Sequence, residues 1–145
     1  MNIFNQKFYY RKGFTFIEIL VVATIIALLA GAAVVSYSQL NKQSRDAKRK
    51  ADLEQIRAAL EMYRSNNNQY YSGSFNNNCQ SINWLSSYLS TIPNDPKFNS
   101  GYYYRCIITQ SDYTLGAYFE NGGTGSCGSC GNANCNYCLG PYGQR

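Results

Sequence analysis

"RKGFTFIEILVVATIIALLAGAAVVSY", residues Arg11 to Tyr37, decides how the rest of the chain is read. From Phe14 to Val35 it is almost uniformly apolar apart from one carboxylate, Glu18. About 22 residues at a helical rise of 1.5 Å span the roughly 30 Å hydrocarbon core of a bilayer. A charge inside such a segment costs roughly 2.5–3.5 kcal/mol on insertion scales, so Glu18 needs a reason to be there. The run is too long for a secretory signal peptide, and "GAAVVSYSQLNKQ" continues straight into a charged helical pattern. An ordinary signal anchor fits the length and leaves Glu18 unexplained. Flanking charges do not fix the orientation. The residues before the run carry Lys7, Arg11 and Lys12, while "KQSRDAKRK" (Lys42–Lys50) carries five cations against Asp46.

The chain has 145 residues and a formal net charge of +5, a balance that invites a nucleic-acid reading. Residues 1–13 hold three of the cations and no acid, and without them ten basic residues face eight acidic ones. From Asn66 onward, Lys97, Arg105 and Arg145 balance Asp95, Asp112 and Glu120. Charge therefore gives no support to nucleic-acid binding by the C-terminal part.

Beyond Ser38 the pattern becomes amphipathic. Leu53, Ile56, Leu60 and Tyr63 recur at spacings of three and four, one face of a helix, with Ala47, Ala51 and Ala59 close by. Asp46 and Lys50 are spaced as an i,i+4 ion pair of the favoured polarity. No proline interrupts Phe14 to Asn66, so the spacing predicts one continuous helix roughly 78 Å long, with Gly31 its weak interior point. "NNNQYYSG" ends it. "SINWLSSYLSTIP" predicts a short second helix, with Ser81 as N-cap, Ile82, Leu85, Leu89 and Ile92 on one face, and Pro93 as the stop. The turn "IPNDP" follows. "YYYRCII" (Tyr102–Ile108) and "YTLGAYF" (Tyr113–Phe119), joined by "TQSD", predict an antiparallel hairpin.

"KGFTFIEILVVATIIALL" resembles the N-terminus of type IV prepilins and pseudopilins: a short basic leader ending in glycine, an aromatic first mature residue, and a glutamate four residues further on. The resemblance implies cleavage between Gly13 and Phe14 by a membrane prepilin peptidase, with N-methylation of Phe14. It also implies that Glu18 is kept because assembly neutralises it against the new α-amino group of a neighbouring subunit. "KRKADLEQIRAALEMYRSNNNQYY", "YLSTIPNDPKFNSGYYYRC" and "YTLGAYFEN" resemble later parts of type IV pilins, so the likeness extends to Asn121. The major pseudopilin of type II secretion systems typically follows the proline turn with a Trp-Gly pair and a calcium-binding loop, whereas "KFNSG" follows here.

The tail "GGTGSCGSCGNANCNYCLGPYGQR" departs from that family. Its Cys127, Cys130, Cys135 and Cys138 form C-x2-C-x4-C-x2-C. Zinc ribbons separate their C-x2-C units by a dozen or more residues, and a redox C-x2-C belongs at a helix start rather than in Gly/Ser/Asn-rich chain. Disulfides are the default outside the membrane, with metal ligation and free or redox-active thiols as the other readings. Pairs 127–138 and 130–135 fit one hairpin register, and Cys79 with Cys106 would make the third bridge.

Catalytic residues are scarce. The chain has no histidine, no G-x-S-x-G, no P-loop and no dinucleotide fingerprint, so neither an enzyme nor a cofactor is expected, and no metal. The expected fold is α+β: a leader (residues 1–13), an apolar helix (14–37), its amphipathic continuation (38–66), and a head (67–145) with a small antiparallel sheet and a Cys-rich C-terminal loop. The expected function is that of a pilin. Such a subunit waits in the membrane as a single-pass protein with its head outside, then polymerises with identical copies into an extracellular pilus for adhesion, motility or DNA uptake. Its partners would be the peptidase and the inner-membrane assembly machinery. A type II secretion pseudopilin is the alternative reading, and a membrane-anchored thiol-redox or metal-binding module is the rival from another class.

Overall fold

The computed structural model describes residues 13–71 and 77–145, without the side chain of Val35. The leader cations Lys7, Arg11 and Lys12, and the end of "NNNQYYSG", lie outside these residues. One helix, α1, runs from Phe16 to Asn67, and two compact units divide between Gln39 and Leu40.

The first unit is the apolar half of α1. Every described residue from Gly13 to Gln39 is exposed, and the segment is long and apolar enough to cross a membrane. The helix passes through Gly31 without a break. It begins as the capping chemistry dictates, a point taken up with the site below.

In the second unit α1 turns a buried stripe inward. Leu53, Ile56 and Leu60 are fully buried, Ala59 joins them, and Tyr63 is partly covered. The helix ends at Asn67, after which Asn68 takes a left-handed conformation (φ 60°), the usual device for leaving a helix. Against the stripe packs a four-stranded antiparallel sheet: β1 (Arg105–Ile108), β2 (Tyr113–Ala117), β3 (Tyr137–Gly140) and β4 (Gly143–Gln144), in that spatial order. The core adds Tyr104, Cys106, Tyr113, Leu115, Tyr137 and Leu139 from the sheet side to Ile82 and Leu85. Burying each large apolar side chain contributes about 1.5–3 kcal/mol.

Three expectations need correction. The second helix over Ser81–Ile92 is instead a pair of 3₁₀ turns, Cys79–Ser81 and Asn83–Ser87. Of the foreseen face Ile82 and Leu85 are buried and Leu89 and Ile92 half-buried, while Ile82, Leu85 and half-buried Tyr88 follow the three-residue period of a 3₁₀ helix. The entrance is held by β1: Cys79 donates its N–H to Tyr104 O, Cys106 donates to Asn77 O, and Asn78 rather than Ser81 caps Gln80. With its backbone committed to a strand edge, the segment cannot start an α-helix there. The tail is not only a loop, because it supplies β3 and β4. Leu139, Cys138 and Tyr137 pair with Leu115, Gly116 and Ala117, and Arg57 fixes the β3–β4 turn by donating to Pro141 O at 2.8 Å.

The third correction concerns Asp46. It pairs not with Lys50, which is exposed, but with Arg49 at 2.9 Å. The stripe of α1 that is apolar at Leu53 and Ile56 becomes ionic one turn earlier. Arg49 is fully buried and forks onto Asp95 of the "IPNDP" turn (2.7 and 3.1 Å), while also reaching Asp46 and Glu120. Arg45 donates twice to Glu120 (2.6 and 2.8 Å), and Lys97 adds a third cation there at 2.7 Å. Asp46 in turn accepts from the backbone N–H groups of Glu120 and Asn121. Two distant segments, Asp95–Lys97 and Glu120–Asn121, thus meet on two adjacent turns of the helix. Nearby, Tyr104 donates to buried Asp52 at 2.7 Å, and burial with that bond pushes the phenol well up.

The Arg45 hydrogen bond is the main cause holding the Glu120 carboxyl well below the usual range, with Lys97 and Arg49 adding to it against burial. Burial pushes Asp46 up, but the hydrogen bonds from Glu120 and Asn121 outweigh it and the net direction is down. Carboxyls depressed by folding contribute stability above their unfolded pKa near 4 and lose it as pH falls through the folded value. Unfolding free energy measured by denaturant titration should therefore decline below about pH 5, and less steeply in Glu120→Gln. Arg49→Ala, which strands buried carboxylates, should cost about 3–5 kcal/mol at neutral pH; a loss under 1 kcal/mol would contradict the clamp.

Candidate functional site

Thr15 lies immediately before the first residue of α1 and Glu18 is its third. Glu18 Oε2 accepts from the Thr15 backbone N–H at 2.7 Å and from its hydroxyl at 2.8 Å, while Thr15 Oγ1 accepts from the Glu18 N–H at 3.3 Å. This is a capping box: cap and third residue each satisfy the other's backbone donor. The first turns of a helix leave four N–H groups without intrahelical partners and carry partial positive charge, so an acid there is stabilised. Both bonds that the Glu18 carboxylate accepts fall on Oε2, and among the described residues Oε1 takes part in none. The opening charge of the apolar helix is therefore locally useful before any neighbour arrives. The Thr-x-x-Glu spacing carried this signal in the sequence, and the expectation for Glu18 passed over it.

Gly13, Phe14 and Thr15 lie outside the helix, and all three are exposed, Phe14 by 84%. A Cβ on Gly13 would meet nothing within 4 Å of the chain, so the absence of a side chain there answers no internal packing need.

The cysteines pair as Cys79–Cys106, Cys127–Cys138 and Cys130–Cys135, leaving none free. The first ties the 3₁₀ entrance to β1. The other two staple the tail beside β2, where a Cβ on Gly116 would come within 3.0 Å of both the Cys127 and Cys135 sulfurs. Metal ligation and thiol exchange need thiolates, and here every sulfur is bonded to another. The carboxylates Asp46, Asp95 and Glu120 converge, but Arg45, Arg49 and Lys97 already neutralise them, which leaves no field for a cation.

Comparison with known proteins places these features. Residues 9–34 match the prokaryotic N-terminal methylation motif, and residues 36–134 match the family of type II secretion system protein G. The chain is 33% identical to the type II secretion system core protein G of Pseudomonas aeruginosa, over 84% of this chain and 94% of that protein. It is 34% identical to the core protein G of Pectobacterium carotovorum subsp. carotovorum over 48% of this chain and 44% of that protein. No solved structure matches.

The capping box makes a separable expectation. Glutamine serves as well as glutamate at the third helical position. In the full chain held in micelles, Glu18→Gln should leave amide exchange at Thr15–Ile19 near wild type. Glu18→Ala should accelerate it several-fold, in line with a cap worth about 0.5–2 kcal/mol.

Proposed function

The chain belongs to the type II secretion system protein G family, and on that premise we propose that it is a pseudopilin, a subunit that polymerises to drive export. The match over residues 36–134 favours this reading over a surface pilus subunit, the first expectation from sequence. Its work is assembly rather than catalysis. An exposed apolar helix is stable in a bilayer, and withdrawn from it can bury the same surface against copies of itself. Before assembly the subunit is anchored by that helix, after removal of residues 1–13 by a prepilin peptidase and methylation of Phe14. Its partners are identical copies and the secretion machinery of the inner membrane.

Glu18 supports the mechanism. Its Oε2 is engaged in the capping box, and Oε1 remains to receive the α-amino group of Phe14 from the subunit ahead. In a low-dielectric core that pairing is strong, and an unpaired carboxylate is penalised. The result is an axial register that apolar packing alone leaves weakly specified.

In cells lacking the native gene, wild type should restore export of secreted enzymes. Glu18→Gln, which keeps the cap and loses the charge, should accumulate as processed, inserted subunit and fail to restore export. Normal export without the gene, with loss of long surface filaments, would return the chain to the pilus reading. Gly13→Val should leave a subunit whose intact mass still includes residues 1–13. Processing at another position in that variant would remove Gly13 from the mechanism.

A further inference from the structure

We propose that Lys42, Lys48 and Lys50 form a collar on α1 that binds anionic phospholipid headgroups. The stretch "KQSRDAKRK" holds five cations, and folding divides them. Arg45 and Arg49 are consumed by Glu120, Asp95 and Asp46. Lys42, Lys48 and Lys50 take part in none of the ion pairs or hydrogen bonds among the described residues. Lys48 and Lys50 are exposed and Lys42 half-exposed.

Among the described residues no carboxylate is bonded to them. The chain's eight carboxylates all lie in described residues, and each already accepts a bond within the chain. Asp46, Asp95 and Glu120 sit in the clamp. Asp52 is held by Tyr104, Glu61 by Tyr70 and Tyr113, and Glu18 by Thr15. In the head, the two most exposed acids, Glu54 and Asp112, are each paired with an arginine, Glu61 is half-buried under two tyrosines, and Glu18 lies in the apolar segment. The head of a second copy thus presents little unpaired acid, which favours an anion of another chemistry.

The distribution of the lysines identifies it. At about 100° per residue, their directions around the helix differ by about 80°, 120° and 160°. A protein docked on one side of α1 meets one or two of them, whereas headgroups surround a membrane helix on every side. Lys42 follows Tyr37 by five residues, about 7.5 Å of helix, which reaches the outer edge of the polar headgroup layer of a bilayer. Side chains on a helix lean toward its N-terminus, which here is the end that carries the apolar run. Lys48 and Lys50 lie about two turns further on. Leaning back on long stems, within a screening length of about 8 Å, they stay in the field of an anionic surface.

The inference rests on the membrane-anchored reading, and its test keeps the two apart. The full chain is reconstituted into phosphatidylcholine bilayers carrying trace spin-labelled phosphatidylglycerol or phosphatidylcholine, and the association constants of the two labelled lipids are compared. At low salt wild type should prefer phosphatidylglycerol, and the triple variant K42Q/K48Q/K50Q should lose at least fivefold of that preference, the order expected for even one lysine near the surface. High salt should reduce the wild-type preference in the same direction. Equal preference in the two proteins would overturn the collar. So would self-association in pure phosphatidylcholine that the triple variant abolishes, since a second copy would then be the partner. Failure of wild type to sediment with the bilayers would overturn the membrane reading, and the collar with it.

Discussion

The head is organised around one buried guanidinium. Arg49 has no exposed surface, yet its donors reach carboxylates from three parts of the chain: Asp46 one turn back on α1, Asp95 in the proline turn, and Glu120 beyond β2. Arginine suits this position because its planar fork can serve a bidentate partner and still have a donor to spare, which a lysine ammonium does not reproduce. The arrangement is costly to desolvate, so it is poor evidence for a large net gain in stability. What it does provide is specification. An unpaired charge at any of the four sites would be penalised heavily, so the proline turn and the segment after β2 have one way to lie on the helix.

That closure shapes what remains outside. Folding ties the carboxylates of the head and the two arginines nearest the membrane segment into bonds within the chain, and it leaves Lys42, Lys48 and Lys50 outside the ion pairs of the described residues. The contradictory count of flanking cations is thereby reduced without being abolished. A sequence tally treats five cations as equivalent, while the folded chain presents three.

The parts legible in the sequence were those governed by local period. The apolar run, the stripe Leu53–Ile56–Leu60 and the β1–β2 hairpin all follow from spacing, and the cysteine pairs are compatible with one hairpin register. The misread parts were those where a distant partner overrode the local signal. Asp46 and Lys50 have the spacing of a helical pair, but Asp46 lies on the face that receives residues 120 and 121, and those partners win. Ile82 to Ile92 have helical spacing, but Tyr104 and Cys106 claim the backbone at Cys79 and Asn77. Gly- and Asn-rich composition hid β3 and β4, because a strand pinned by disulfides beside Gly116 needs little β-propensity of its own. The cap at Thr15 was local and readable. Its Thr-x-x-Glu signal is embedded in the apolar run, whose bilayer-length pattern is the stronger of the two.

Glu18 shows why a single residue can be indispensable in one context and locally content in another. At the third position of a helix it meets donors that would otherwise be unsatisfied, so its charge costs less there than it would a turn or two further in. This explains where a carboxylate is tolerated in the apolar run. It does not explain why the residue is a carboxylate, since an amide caps equally well and spares the helix a charge in hydrocarbon. A charge retained where a neutral side chain would do the local work points to a partner that needs the charge. Among the described residues no cation reaches Glu18, and in the proposed function the partner is the α-amino group of Phe14 from a neighbouring subunit. The carboxylates of the head are all bonded within it, whereas the described apolar helix is exposed throughout and carries a single carboxylate, which is why the proposed function places association there.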